Sequence, residues 1–411
     1  FLSRYSNLQF KMSSLKILLA VTLCFAAVTA EYIEPDFEVP DVIVTQPFRA
    51  SKEILPENFD WSDQNGTNYL TTSFNQHIPI YCGSCWAHAA TSALSDRIKI
   101  LRKAAFPDVN ISPQHLISCD KGLSNNGCLG GSHLLGYKYL HENGAVDRTC
   151  SIYQARGWSN GLGCEQETVC WNCNHSGCFK PDTFNQYRVT EYAKVTGEDD
   201  MMSEIYSRGP IACSIDANDA LHHYTGGIID SNGSKITNHV VSIVGWGEEN
   251  GVKYWRVRNS WGTWWGEQGY FRIIRGIDNL GIEGNCSWAV PDPQFYKVTN
   301  MSTGDLSKQD AVVESLSLAD NKNFLAYGES VYNLSMPTSM SDFGLDAQPE
   351  TTVKHEVSDE YRGCVNDMEY SDGERVTSPR PHEYTSVGDL PANFWWGDVN
   401  GVNYLSWNKN Q

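Results

Sequence analysis

Cys82-Gly83-Ser84-Cys85-Trp86 sets a cysteine at the head of a stretch, Ser84 to Lys103, in which Trp86, Ala89, Ala90, Ala93, Leu94 and Ile98 recur at helical spacing with no Pro or interior Gly. A thiol in the first turn of a helix ionises more readily than in water. The helix dipole favours the anion, and so does a neighbouring imidazolium. Two downstream motifs supply such a neighbour and its support. Asn238-His239-Val240-Val241 opens an apolar run that leads to Gly245-Trp246-Gly247, and Asn259-Ser260-Trp261-Gly262 follows twenty residues after His239. In that set Cys85 attacks a carbonyl, His239 takes the thiol proton and returns it to the leaving amine, and Asn259 fixes the ring. Trp261 shields the last hydrogen bond from water. Alone, Cys82 and Cys85 read equally well as a redox pair or as structural cysteines. The histidine and asparagine motifs tip the balance to nucleophilic catalysis.

Positioning these residues takes a helix and a sheet. The front half is helical; from about Arg188 the pattern turns strand-like, with Val240–Val244, Tyr254–Val257 and Tyr270–Ile274 rich in aromatic and branched residues. The order Cys85, His239, Asn259 and the motif around Cys85 resemble the papain-like cysteine peptidase family over about Leu55 to Pro293. The resemblance implies an α+β fold, a helical subdomain and a β-barrel-like subdomain with the site in the cleft between them, and no cofactor or metal. It also implies that the Gln76 amide, with the Cys85 N–H, stabilises the oxyanion. Within Gly127-Cys128-Leu129-Gly130-Gly131, the last two glycines resemble the strip that pairs with substrate main chain. By the same likeness the disulfides are Cys82–Cys128, Cys119–Cys164, Cys150–Cys170, Cys173–Cys178 and Cys213–Cys286, with Cys85 outside them. Spacing alone leaves the connectivity open.

Gln76 and Cys85 are nine residues apart where most of the family has six, and the insertion carries His77-Ile78-Pro79. That insertion resembles the mini-loop of the cathepsin X/Z group, although Ile80 stands where a polar residue is usual. The likeness implies a loop that closes the primed side, with His77 binding the substrate's C-terminal carboxylate and Tyr81 nearby. Removal of single C-terminal residues follows, and protonated His77 does it best at mildly acidic pH. His88, His115, His133, His141 and His175 read as surface or satisfied core residues. His222 and His223 precede Tyr224-Thr225-Gly226-Gly227, in the strand-rich half, and so do not resemble an occluding-loop pair. A zinc site from Cys170, Cys173, His175 and Cys178 is disfavoured because an oxidising compartment pairs such thiols.

The compartment is read from several features together. Residues 12–30 hold an apolar run, Ile17 to Val28, too short to span a bilayer and ending as a signal peptide does. Seven glycosylation triplets start at Asn65, Asn110, Asn174, Asn232, Asn285, Asn300 and Asn333, and thirteen cysteines fit an oxidising route. The expectation is a monomeric secretory-pathway protein, lysosomal or extracellular, whose partners are peptides with free C-termini and cystatin-like inhibitors. A net charge of −18 argues against nucleic acid.

Residues 1–11 read as upstream read-through, 31–54 as a short leader or propeptide and 294–360 as a linker. Residues 361–389, with Cys364 and Pro379-Arg380-Pro381-His382-Glu383-Tyr384, resemble the short propeptide of the cathepsin X/Z group. The stretch 390–411 matches 55–76 at 13 of 22 positions and reads as the truncated start of a second peptidase domain. The first leader has no cysteine, so Cys364 is a candidate cap for Cys85. Two other readings keep the same body: a broader endopeptidase, if the loop folds away from the cleft, and a binding or adhesion module without turnover.

Overall fold

The computed structural model describes residues 55–299, apart from 123, 165–168 and 232, along with the strand at 312–317 and residues 395–397, 399 and 403–406. The signal peptide, both leader segments and Cys364 lie outside the described residues.

The central helix, α1 (Cys85–Leu101), is buried on nearly every face. Alanines at 87, 89, 90 and 93 let its neighbours approach closely, while Trp86, Leu94 and Ile98 fill the space between. Each such fully buried aliphatic side chain contributes about 1.5–3 kcal/mol. Its polar residues are then forced to find partners. The helical spacing continues to Lys103 in the sequence, but Lys103 and Ala104 take φ of 53° and 57°, which ends the ladder at Leu101. Two shorter helices flank it: α2 (Pro113–Cys119), capped by the Ser112 hydroxyl with Pro at its first position, and α3 (His133–Glu142), capped by Ser132.

The strand-rich half is one sheet whose pairs among the described residues are antiparallel except for one. The short strand β1 (Phe59–Asp60) precedes all of these elements in the chain. After a separate hairpin, β2 (Asn172–Asn174) and β3 (Gly177–Phe179), come β4 (Thr183–Val195), α4 (Glu198–Arg208), β5 (Ile211–Ile215), the single turn α5 (Asp219–His222) and β6 (Ile228–Ile229). Then follow β7 (His239–Glu249), β8 (Val252–Arg258), β9 (Tyr270–Ile274), β10 (Cys286–Thr299) and β11 (Val312–Ser317). The path runs β11-β10-β5-β7-β8-β9-β6, with β4 paired to β10 and β1 to β7. β10 crosses the domain limit expected at 293, because its far end stays paired with β4 through Thr299↔Thr183. Gly245 lets β1 cross: a Cβ there would sit 2.3 Å from the Phe59 carbonyl oxygen.

Polar braces join the two halves. On α1, Arg97 donates to Glu204 Oε1 at 2.9 Å and to the carbonyls of Pro210, Gly209 and Ala289 at 2.7–3.0 Å, all buried. Asp96 pairs with Arg258 at the end of β8. From α3, the buried His133 bonds Ser287 Oγ at 2.5 Å and Ser214 Oγ at 3.3 Å. Burial and Lys194 lower its pKa to about 3, so it serves as a neutral link.

Five disulfides are present: Cys82–Cys128, Cys119–Cys164, Cys150–Cys170, Cys173–Cys178 and Cys213–Cys286. The cysteines considered for zinc are all within them, and no metal-holding group of His, Cys, Asp and Glu occurs among the described residues. None of the described helices is long and apolar enough to cross a membrane.

Candidate active site

Cys85 is the first residue of α1, fully buried and in none of the disulfides. His239 is the first residue of β7 and also fully buried. Its Nε2 lies 2.8 Å from Asn259 Oδ1, which also accepts the Ser260 N–H at 2.8 Å. An oxygen that receives both must be the carboxamide oxygen, so Nε2 donates and Nδ1 is the nitrogen left for proton transfer. Asn259 directly follows β8, so the β7–β8 pairing sets the distance between ring and amide. Trp261 covers the pair: its ring stacks on His239 with centroids 5.0 Å apart, and His222 stacks on Trp261 at 5.0 Å and 6°.

Gln76 is fully buried. The strand-like stretch around it runs against the Asn259 loop, with Gln76 N donating to Ser260 O at 2.8 Å and Asn75 bridged to Trp261. Its amide is held in plane by Nε2 donating to Cys82 O at 3.0 Å and Oε1 accepting from Ser260 Oγ at 2.6 Å. One N–H of that amide remains for another acceptor. The insertion begins at the next residue. His77 stacks on Tyr81 with centroids 4.8 Å apart at 7°, and Ile78, Ile80 and Tyr81 are about half exposed or more.

The glycine strip is brought alongside by the Cys82–Cys128 bond and by a parallel bridge between Gly83 and Leu129. Gly131 has no room for a side chain, since a Cβ would meet Asn125 Oδ1 at 2.6 Å and the Trp86 ring at 2.8 Å. Gly130 takes φ of 111°, which L side chains avoid.

One nearby residue was given no role at the site in the sequence. His88, read there as a surface or core histidine, is buried one turn after Cys85 and bonded to Ser84, edge-on to Tyr153. Burial first, then Arg148, lowers its pKa to about 3. The Ser84 to His88 spacing of four, which puts both on one helix face, was the available signal.

These contacts define a thiol, an imidazole, an orienting carboxamide and a fixed amide donor at the junction of a helix and a sheet, the parts needed for acyl transfer through a thioester. Comparison with known proteins agrees. Residues 55–290 match the papain family cysteine protease model, and the chain belongs to that family. It is 44% identical over 246 residues to a protein named cathepsin Z from Onchocerca volvulus, covering 58% of this chain and 78% of the relative. A Caenorhabditis elegans cathepsin B-like cysteine proteinase 5 is 30% identical over 292 residues, covering 64% and 83%. Digestive procathepsin L2 proteinase from Tenebrio molitor larval midgut superposes with a TM-score of 0.52 at 28% identity, covering 64% of this chain and 78% of that one. The protein is therefore a cysteine peptidase of α+β papain-like fold, and peptides are its substrates.

Proposed function

We propose that the chain is a carboxypeptidase that removes single C-terminal residues, with Cys85 as nucleophile, His239 as its base, Asn259 as the residue orienting the ring and Gln76 as an oxyanion donor. The observation that carries the exopeptidase reading is the insertion after Gln76: it starts one residue from the oxyanion donor and presents the His77–Tyr81 stack beside the site. A loop there leaves room for little more than one residue beyond the scissile bond. Imidazolium on His77 attracts the terminal carboxylate, and Gly130 and Gly131 receive the substrate main chain on the other side. Similarity to the cathepsin Z of O. volvulus supports the same reading.

The remaining proposals follow from the class. The protein acts as a monomer in a lysosome or outside the cell and is open to cystatin-like inhibitors. Residues 12–30 and 31–54 serve as signal and leader, and 361–411 as a propeptide-like segment and the opening of a second unit. The test is hydrolysis of one peptide series with free or amidated C-termini. Free peptides are expected to be trimmed at least tenfold faster, and His77→Ala to raise KM for free peptides about tenfold, equivalent to one charge-assisted hydrogen bond. Equal rates on both forms would reduce the activity to a broader endopeptidase.

A further inference from the structure

Tyr153 Oη lies 2.6 Å from the carbonyl oxygen of Gln76 and 2.6 Å from Ser84 Oγ, and Ser84 Oγ lies 3.2 Å from His88 Nδ1. The direction of these bonds is fixed from one end. A carbonyl oxygen only accepts, so the tyrosine donates to Gln76. Its one proton is then used, and Ser84 Oγ donates to the tyrosine oxygen. The serine proton is used in turn, so the remaining link is donated by His88 Nδ1–H to Ser84, whose own carbonyl oxygen lies 3.1 Å from the same nitrogen. Only a neutral His88 with its hydrogen on Nδ1 closes this chain without a surplus proton. Burial and the nearby Arg148 keep it in that form.

The chain reaches both donors of the oxyanion site, one at its Gln76 end and the other through Ser84, its inner link. Gln76 carries the amide donor; Ser84 directly precedes Cys85, whose N–H is the other. We propose that His88 is a positioning residue which, through Ser84 and Tyr153, holds the Gln76 amide and the Cys85 N–H in register for the tetrahedral oxyanion. It touches neither substrate nor the reacting sulfur. The inference rests on Gln76 being an oxyanion donor, as stated above.

The test uses His88→Phe, which keeps the ring volume and removes the donor, and His88→Asn, which returns a donor near the Nδ1 position. Tyr153→Phe interrupts the same chain at another element, and so serves if the helix variants fold poorly. Turnover of a short peptide with a free carboxylate is measured beside the rate of Cys85 alkylation by iodoacetamide across pH. Alkylation needs the thiolate and its imidazolium but no oxyanion site. His88→Phe and Tyr153→Phe are each expected to lower kcat about tenfold to hundredfold, a part of what loss of one oxyanion donor costs, with KM little changed. The double variant is expected to lose no more than either single one, His88→Asn to recover most of the loss, and the alkylation profile to stay in place. Unchanged kcat in both Phe variants overturns the proposal. So does alkylation that slows in step with kcat, which marks a disturbed helix, or failure of the asparagine to rescue. Gln76→Ala is run alongside: full turnover there removes the oxyanion assignment itself, independently of what His88 does.

Discussion

Asp96→Asn changes one atom in the brace between α1, which begins at Cys85, and β8, which ends just before Asn259. Asp96 Oδ1 accepts from Thr71 N and Thr71 Oγ1, both at 2.7 Å, and Oδ2 accepts from Arg258 Nη2. Arg258 also donates to Thr71 O at 3.0 Å, and both ionic side chains are almost wholly buried. Burial pushes the Asp96 carboxyl upward, while Arg258 and Thr71 pull it down. The Thr71 N–H and the Arg258 guanidinium can only donate, which favours a carboxylate between them, so the pair is treated as ionic. An asparagine of equal size turns an NH2 group toward either Thr71 or Arg258, donor against donor, and leaves a guanidinium buried without its counter-charge. Removing one partner of a buried pair costs about 3–5 kcal/mol, and since the amide oxygen still accepts some bonds, a value of about 3 kcal/mol is expected. For a unit of this size that lowers Tm by about 6–12 °C. Calorimetry and urea unfolding of the purified protein read it, with Thr71→Val as the comparison for loss of a neutral bond at about 1 kcal/mol. A cost for Asp96→Asn no greater than that of Thr71→Val would refute the reasoning, since it would mean that Arg258 is solvated or neutralised by another group.

Trp261→Ala removes the stack on His239 and lets water compete for the 2.8 Å bond to Asn259; a fall of about tenfold in kcat/KM is expected, about 1.4 kcal/mol, and a steady-state rate equal to wild type would contradict the shielding role. His115 is fully buried with its pKa lowered to about 4 by burial. An unfolded chain binds that proton below the ordinary histidine value and the folded one does not, so stability is complete above about pH 6.5 and declines as pH falls toward 4. His115→Gln is therefore expected to flatten the dependence of the unfolding free energy by about 1.4 kcal/mol per pH unit between about pH 4.5 and 6. Urea titrations at several pH values check the slope, and parallel curves for the two proteins would dispose of the claim.

The arrangement of the candidate site was legible because it is written in short motifs whose residues have few other uses together. Cys85 at a helix start, His239 opening an apolar strand and Asn259 in a motif twenty residues on could all be placed from local pattern, and the strands at 240–244, 254–257 and 270–274 lie within β7, β8 and β9. What stayed hidden was set by distance along the chain. Tyr153 meets Ser84 across 69 positions and Arg97 meets Glu204 across 107, contacts that no local periodicity encodes. α4 was also missed, because its first turn, Glu198-Asp199-Asp200, is so polar that only Met201, Ser203, Glu204 and Ile205 are buried. Its sequence looks like a solvated loop until the sheet supplies a partner.

The braces through Arg97, Asp96 and His133 have a bearing on how this molecule evolves and is inhibited. Three clasps across the seam oppose a hinge-like opening of the two halves, so a ligand is expected to meet a preformed slot rather than a hinge that shuts around it. On the proposed reading, selectivity is then left to the three-residue insert after Gln76, which can drift in sequence without retuning the frame. A small molecule shaped to the slot should lose little affinity to protein rearrangement, and one aimed at the insert should discriminate among relatives that share the frame.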